Sequence, residues 1–140
     1  MQDITLFIQN HTGLVSALVF ALLLLMLVEF VKQKVGAKRL NPSEATQLIN
    51  RQDGVVVDIR PKDVFKDGHI AGAQSLPMAD FEKKSSRLDN LKLRPIILVC
   101  NGGLDSNRAA TMLMQKGINP YILEGGIKSW REAELPLVKG

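Results

Sequence analysis

Ile96-Ile97-Leu98-Val99-Cys100-Asn101-Gly102-Gly103-Leu104-Asp105-Ser106 is the stretch on which the reading of this 140-residue chain turns. With Pro95 before it, the run to Cys100 is short and uniformly apolar, the pattern of a strand buried on both faces of a parallel sheet. Cys100 ends that strand, two glycines follow, and a helix is predicted over 106–116. Ala109, Ala110, Leu113 and Met114 share one face of it, and Gly117 stands where it should stop. In open α/β sheets ligands bind outside the carboxyl ends of the strands. Glycines let successive N–H groups turn inward as an anion-binding nest, and a following helix adds its unpaired N–H groups and the positive end of its dipole. Such a ring stabilises negative charge on a sulfur at its centre, the form in which cysteine is a nucleophile. It would equally hold a persulfide, whose terminal sulfur is also anionic. The plainer alternative is a strand-end cysteine packed as a small hydrophobe.

Working outward, Val55-Val56-Val57-Asp58-Ile59 is a second short buried strand and Tyr121-Ile122-Leu123 a third. Asn41-Pro42-Ser43-Glu44 starts a helix, with Asn41 as cap, Pro42 at the first helical position and Ala45, Leu48 and Ile49 on its apolar face. Further helices are predicted after Pro61, near 80–91, and from Ile127 to Ala133, with tight turns at Gly68 to Gly72 and at Gly125-Gly126. Strands alternating with helices imply an α/β fold, a small parallel sheet flanked by helices.

A different kind of segment comes first. Gly13 to Val31 is apolar all round apart from Ser16 and Glu29, and as a helix its 19 residues reach about 28 Å, enough to cross a hydrocarbon core about 30 Å thick. A domain of about 100 residues could hardly enclose such a helix. No Lys or Arg precedes it, so it lacks the basic start of a cleaved signal. Lys32, Lys34, Lys38 and Arg39 cluster just behind it. These features divide the chain into a short extracytoplasmic N-terminus (1–12), a transmembrane helix (13–31), a basic linker (32–39) and a domain (40–140). The basic cluster places that single-pass chain in the inner, cytoplasmic membrane with its domain in the cytoplasm, where a lone cysteine stays reduced.

Composition narrows the function. The net charge is +4, but setting aside those four residues leaves 14 basic against 12 acidic in the domain, a net of +2. With aromatics at 5%, neither a phosphate-binding face nor a base-stacking platform is present, which argues against nucleic acid. One cysteine makes no internal disulfide, and with only His11 and His69 beside it a multi-ligand zinc site has too few ligands.

Three motifs, in order, resemble the rhodanese homology domain. Val55-Val56-Val57-Asp58-Ile59-Arg60 with Gly68-His69-Ile70-Ala71-Gly72-Ala73 resembles its opening signature. Val99 to Ser106 resembles its active-site loop, and Leu123-Glu124-Gly125-Gly126-Ile127, with Trp130 after it, its closing one. The resemblance spans about Leu40 to Gly140 and implies a single-domain sulfurtransferase without metal or cofactor. In that family a loop cysteine takes a sulfane sulfur from a donor such as thiosulfate and passes it to cyanide or a thiol. Carried over, Cys100 is the nucleophile and persulfide carrier. Asn101, Gly102, Gly103, Leu104, Asp105 and Ser106 form the cradle, and Asp58 and Arg60 make polar contacts that support it. His69 caps or bridges its turn.

Asp105 is a departure: active members of the family this chain resembles often carry arginine or a neutral polar residue there. Inside the cradle its carboxylate would oppose every anionic sulfur species; pointing outward it would cap a helix starting near Ser106, with Arg108 one turn on to neutralise it. Ser106 stands where phosphatases of this fold carry an arginine, which argues against that activity. The chain is therefore expected to be a membrane-anchored sulfurtransferase working through Cys100. The alternative is a catalytically weak or inactive module that binds a membrane-protein partner. A sulfenic-acid redox sensor ranks third, since a partner would have to supply the second thiol.

Overall fold

The computed structural model describes residues 1–101 and 104–140, without the side chains of 32–35 and 104. Two compact units emerge, Met1–Gly36 and Ala37–Gly140.

The first unit is helical. Helix α1 covers Gln2–Asn10 and α2 covers Thr12–Val35. Thr12–Val31 within α2 is 20 residues long with a mean hydropathy of 2.8, and none of it is buried. That exposure removes the core-helix reading. Among the described residues it leaves one apolar helix long enough to cross a bilayer, a property that membrane anchors and signal sequences share.

The second unit alternates strand and helix: β1 (Lys38–Leu40), α3 (Pro42–Gln52), β2 (Val55–Asp58), α4 (Lys62–Asp67), β3 (Gln74–Ser75), α5 (Met78–Lys84), a 3₁₀ stretch (Ser85–Leu91), β4 (Ile96–Val99), α6 (Leu104–Gln115), β5 (Tyr121–Leu123) and α7 (Gly126–Glu132). All strand pairs are parallel, in the order β1-β5-β4-β2-β3. Alternation along each strand sorts the core into two layers. Val55, Val57, Ile59, Ile96, Leu98 and Cys100 pack with Phe81 of α5, Leu88, and Ala109, Ala110 and Leu113 of α6. On the opposite face Val56, Ile97, Val99 and Leu123 pack with Ala45 and Leu48 of α3 and Ile127 and Trp130 of α7.

The helix start at Asn41 forms a full capping box. Asn41 Oδ1 accepts the Glu44 N–H at 2.8 Å, and Glu44 Oε2 accepts the Asn41 N–H at 3.0 Å. Gly117, at φ +81°, follows α6 as its left-handed terminator.

Three expectations change. The segment 32–39, expected as a basic linker, has regular structure at both ends: α2 continues to Val35, and Lys38–Leu40 is an edge strand in register with Tyr121–Leu123. Two of its three side chains are exposed charges, so no apolar pattern announced it. Its Arg39 Nη2 donates to Asn107 Oδ1 of α6 at 2.9 Å. The helix expected near 80–91 is α5 followed by a 3₁₀ stretch; the break falls at Ser85-Ser86, residues whose hydroxyls compete for backbone groups. Helix α6 begins at Leu104, two residues early, which bears on the site below.

Candidate functional site

Cys100 follows β4 at the carboxyl edge of the sheet. Val99 lies in register with Asp58, and the Ile59 N–H donates to the Val99 carbonyl at 2.9 Å, so the ends of β2 and β4 are locked side by side. Cys100 is 3% exposed and belongs to the core layer under α6. Its carbonyl accepts the Ile127 N–H at 3.0 Å. Gly126, at φ +63°, lies so close that a Cβ there would overlap that carbonyl oxygen. Gly126, in the turn after β5, is therefore a clamp on the main chain of Cys100. The contact fixes the main chain at this strand end.

The expected cradle divides. Asn101 is exposed, Gly102 and Gly103 lie outside the described residues, and Leu104 opens α6. Because α6 starts at Leu104, Asp105 cannot cap it. Asp105 instead sits exposed in the first turn, where a carboxylate interacts favourably with the helix dipole. Arg108 does not pair with it among the described ion pairs; Arg108 lines an open groove of about 510 Å³ between α5 and α6, with Glu82, Met112 and Lys116. Cys100 does not line that groove.

Ser106 is fully buried, and its Oγ has no hydrogen-bond partner among the described residues. It precedes Ala109, Ala110 and Leu113 by the i+3, i+4 and i+7 steps that keep one helix face. That face packs on the layer containing Cys100, so Ser106 heads α6's inner face at the end nearer the loop. A buried hydroxyl without a partner costs about 1–3 kcal/mol. Ser106→Ala is therefore expected to raise stability by about 1 kcal/mol, read as a higher urea midpoint; an unchanged or lower midpoint would show the hydroxyl to be paired in solution.

Asp58 and Arg60 form a buried ion pair, each nearly inaccessible. Arg60 Nε donates to Asp58 Oδ1 at 2.9 Å and Nη2 to Oδ2 at 2.7 Å, the bidentate geometry that makes such pairs strong. Nη2 also donates to the Gly68 carbonyl at 2.8 Å. By strand alternation Asp58 faces the α3–α7 layer, opposite Cys100. The expected support for the loop is thus indirect: the described side-chain bonds of Asp58 and Arg60 hold the turn at Gly68, while the β2 backbone at Asp58 and Ile59 pairs with Val99. The Arg60–Gly68 hydrogen bond joins the two halves of the opening signature. His69 Nδ1 donates to the Phe65 carbonyl at 2.8 Å, and its ring stacks on Phe65 with centroids 3.8 Å apart. A two-way backbone bridge to Val138 completes the turn, so His69 is a bracing residue.

With fold and site in place, the chain belongs to the rhodanese-like family: residues 41–133 match the rhodanese-like domain. Thiosulfate sulfurtransferase GlpE of Coxiella burnetii is 33% identical over 95 residues, covering 67% of this chain and 87% of GlpE. The uncharacterized protein YibN of Escherichia coli K12 is 33% identical over 142 residues, covering 100% of this chain and 99% of YibN. Among solved structures, a rhodanese-related protein from Thermoplasma volcanium superposes with a TM-score of 0.67 at 27% identity, over 74% of this chain and 99% of that one.

Proposed function

We propose that this chain is a membrane-anchored sulfurtransferase that carries sulfane sulfur on Cys100 and serves soluble donors and acceptors from the cytoplasmic face. The observation that carries this reading is the placement of Cys100: its carbonyl is clamped by Gly126 and Ile127 at the carboxyl edge of a parallel sheet, with the α6 N-terminus following within four residues. Leu104, Asp105 and Ser106 open α6, whose first-turn N–H groups and dipole favour negative charge beside this strand end. Likeness to GlpE, a thiosulfate sulfurtransferase, supports the donor class.

The chemistry balances without a cofactor. The Cys100 thiolate attacks the outer sulfur of thiosulfate, the S–S bond breaks, and sulfite leaves with the electron pair. Cyanide or an acceptor thiolate then attacks the outer persulfide sulfur, and the Cys100 thiolate returns as leaving group. The test is the mass of the Cys100 peptide. After thiosulfate it should gain one sulfur, and cyanide should remove it; an unmodified peptide sinks the reading.

The anchor is the Thr12–Val31 span, and the likeness to YibN extends through it. The basic residues behind it support a cytoplasmic domain in the inner membrane. The second reading, a weakly active module that docks on a membrane-protein partner, draws on the exposed carboxylate of Asp105 in the first turn of α6. On the sulfurtransferase reading, Asp105→Asn should raise thiosulfate kcat/KM roughly three- to ten-fold, an advantage that added salt erodes. No change in kcat/KM would remove Asp105 from donor selection.

A further inference from the structure

None of the nine residues of α1 is buried. Ile4, Phe7 and Ile8 are 65%, 60% and 43% exposed, and with His11 they recur at the i, i+3, i+4, i+7 spacing of a single helix face. Gln2, Asp3, Thr5, Gln9 and Asn10 occupy the remaining sides, interrupted only by Leu6. Three large apolar side chains on one face of a nine-residue helix need a cover.

The neighbouring element says what that cover is. Only His11 separates α1 from α2, whose apolar span starts at Thr12. His11 has φ −126° and ψ 34°, away from helical values, so the path bends there. Hydrogen bonds continue through the bend: the His11 N–H donates to the Phe7 carbonyl at 3.1 Å and the Val15 N–H to the His11 carbonyl at 3.0 Å. The His11 ring stacks on Phe7, with centroids 4.6 Å apart. Continuing the span through α1 is unfavourable on two counts. The 20 residues of Thr12–Val31 already reach about 30 Å. Submerging α1 as well would place Gln2, Asp3, Gln9 and Asn10 in hydrocarbon.

We propose that α1 lies in the plane of the lipid–water interface, with Ile4, Phe7 and Ile8 in the boundary between headgroups and acyl chains and the polar sides in water. The occupant of this apolar face is the bilayer itself. The proposal rests on the reading of α2 as an uncleaved span. Covalent attachment at His11 keeps α1 within one residue's reach of the boundary, about 3.6 Å, so partition of its apolar face is local and needs no basic residues to recruit it.

The test uses the full chain with Cys100→Ser, carrying single cysteines in turn at positions 2 to 12. Each is spin-labelled and reconstituted in phosphatidylethanolamine–phosphatidylglycerol vesicles. Collision rates with oxygen and with a water-soluble nickel complex report depth. Positions 4, 7 and 8 are expected to be deep and positions 2, 5 and 9 shallow, a profile with the helical period. A depth that rises steadily from 2 to 12 would make α1 part of the span, and uniform access to nickel would leave it in water; either overturns the proposal. A carbonate wash of the same vesicles separates the two readings. Release of the protein refutes the anchor and α1 placement together, whereas retention with a non-periodic profile refutes the placement alone.

Discussion

Replacing Cys100 with serine should lower thiosulfate-to-cyanide sulfur transfer by on the order of 1,000-fold or more, to the background of the uncatalysed reaction. Serine matches cysteine closely in size, but its hydroxyl is far less acidic than a thiol and forms no persulfide. The site's other features, the clamp on the carbonyl and the start of α6, remain. The lost rate therefore reports the sulfur atom alone. Position 100 is 3% exposed, so a serine there must find a partner or cost about 1–3 kcal/mol. A urea melt accompanies the assay to show that the variant is folded under assay conditions. If a folded Cys100→Ser protein keeps a tenth or more of the activity, sulfur does not travel through this residue and the proposed mechanism falls.

Gly126→Ala is the second large effect, and it should act on stability and site together. At φ +63° an alanine pays the left-handed penalty, and its Cβ would overlap the Cys100 carbonyl oxygen. That oxygen cannot simply move aside, because it accepts the Ile127 N–H. Left-handed strain of about 1–2 kcal/mol and overpacking of about 1–3 kcal/mol together predict a loss of about 2–5 kcal/mol, with sulfur transfer impaired because relief of the overlap shifts the end of β4. Gly117→Ala is the control. Its φ is +81° but nothing lies within 4 Å of a Cβ there, so it should lose only the conformational part, about 1–2 kcal/mol. Equal urea midpoints for the two variants would mean that the approach of Gly126 to Cys100 is not a close contact in solution.

Much of this architecture was legible in one dimension because it is written in local patterns. The runs Val55–Ile59 and Ile96–Val99 are apolar without alternation, as strands covered on both faces must be. Asn41, Pro42 and Glu44 sit at the positions a helix start requires, and their reciprocal hydrogen bonds follow directly. The apolar span before the domain shows in composition alone. Edge strands were hidden for the opposite reason. Lys38–Leu40 and Gln74–Ser75 are too short and too polar to carry a period, and they are strands only because β5 and β2 offer them backbone partners.

For the site, the sequence by itself determined the chemistry on offer: one cysteine at a strand end, glycines after it and a helix start beyond. Tertiary structure decided how those parts are held. It brought Gly126 and Ile127, more than 20 residues downstream, onto the Cys100 carbonyl, and turned Asp58 and Arg60 toward Gly68 on the other side of the sheet. It also started α6 early enough to strip Asp105 of a capping role while burying Ser106 with no hydrogen-bond partner among the described residues. The division has a physical cause. Residue type and spacing govern interactions within a few bonds along the chain, whereas a contact across the sheet depends on strand order and on which face each side chain takes, quantities that exist only once the sheet has formed.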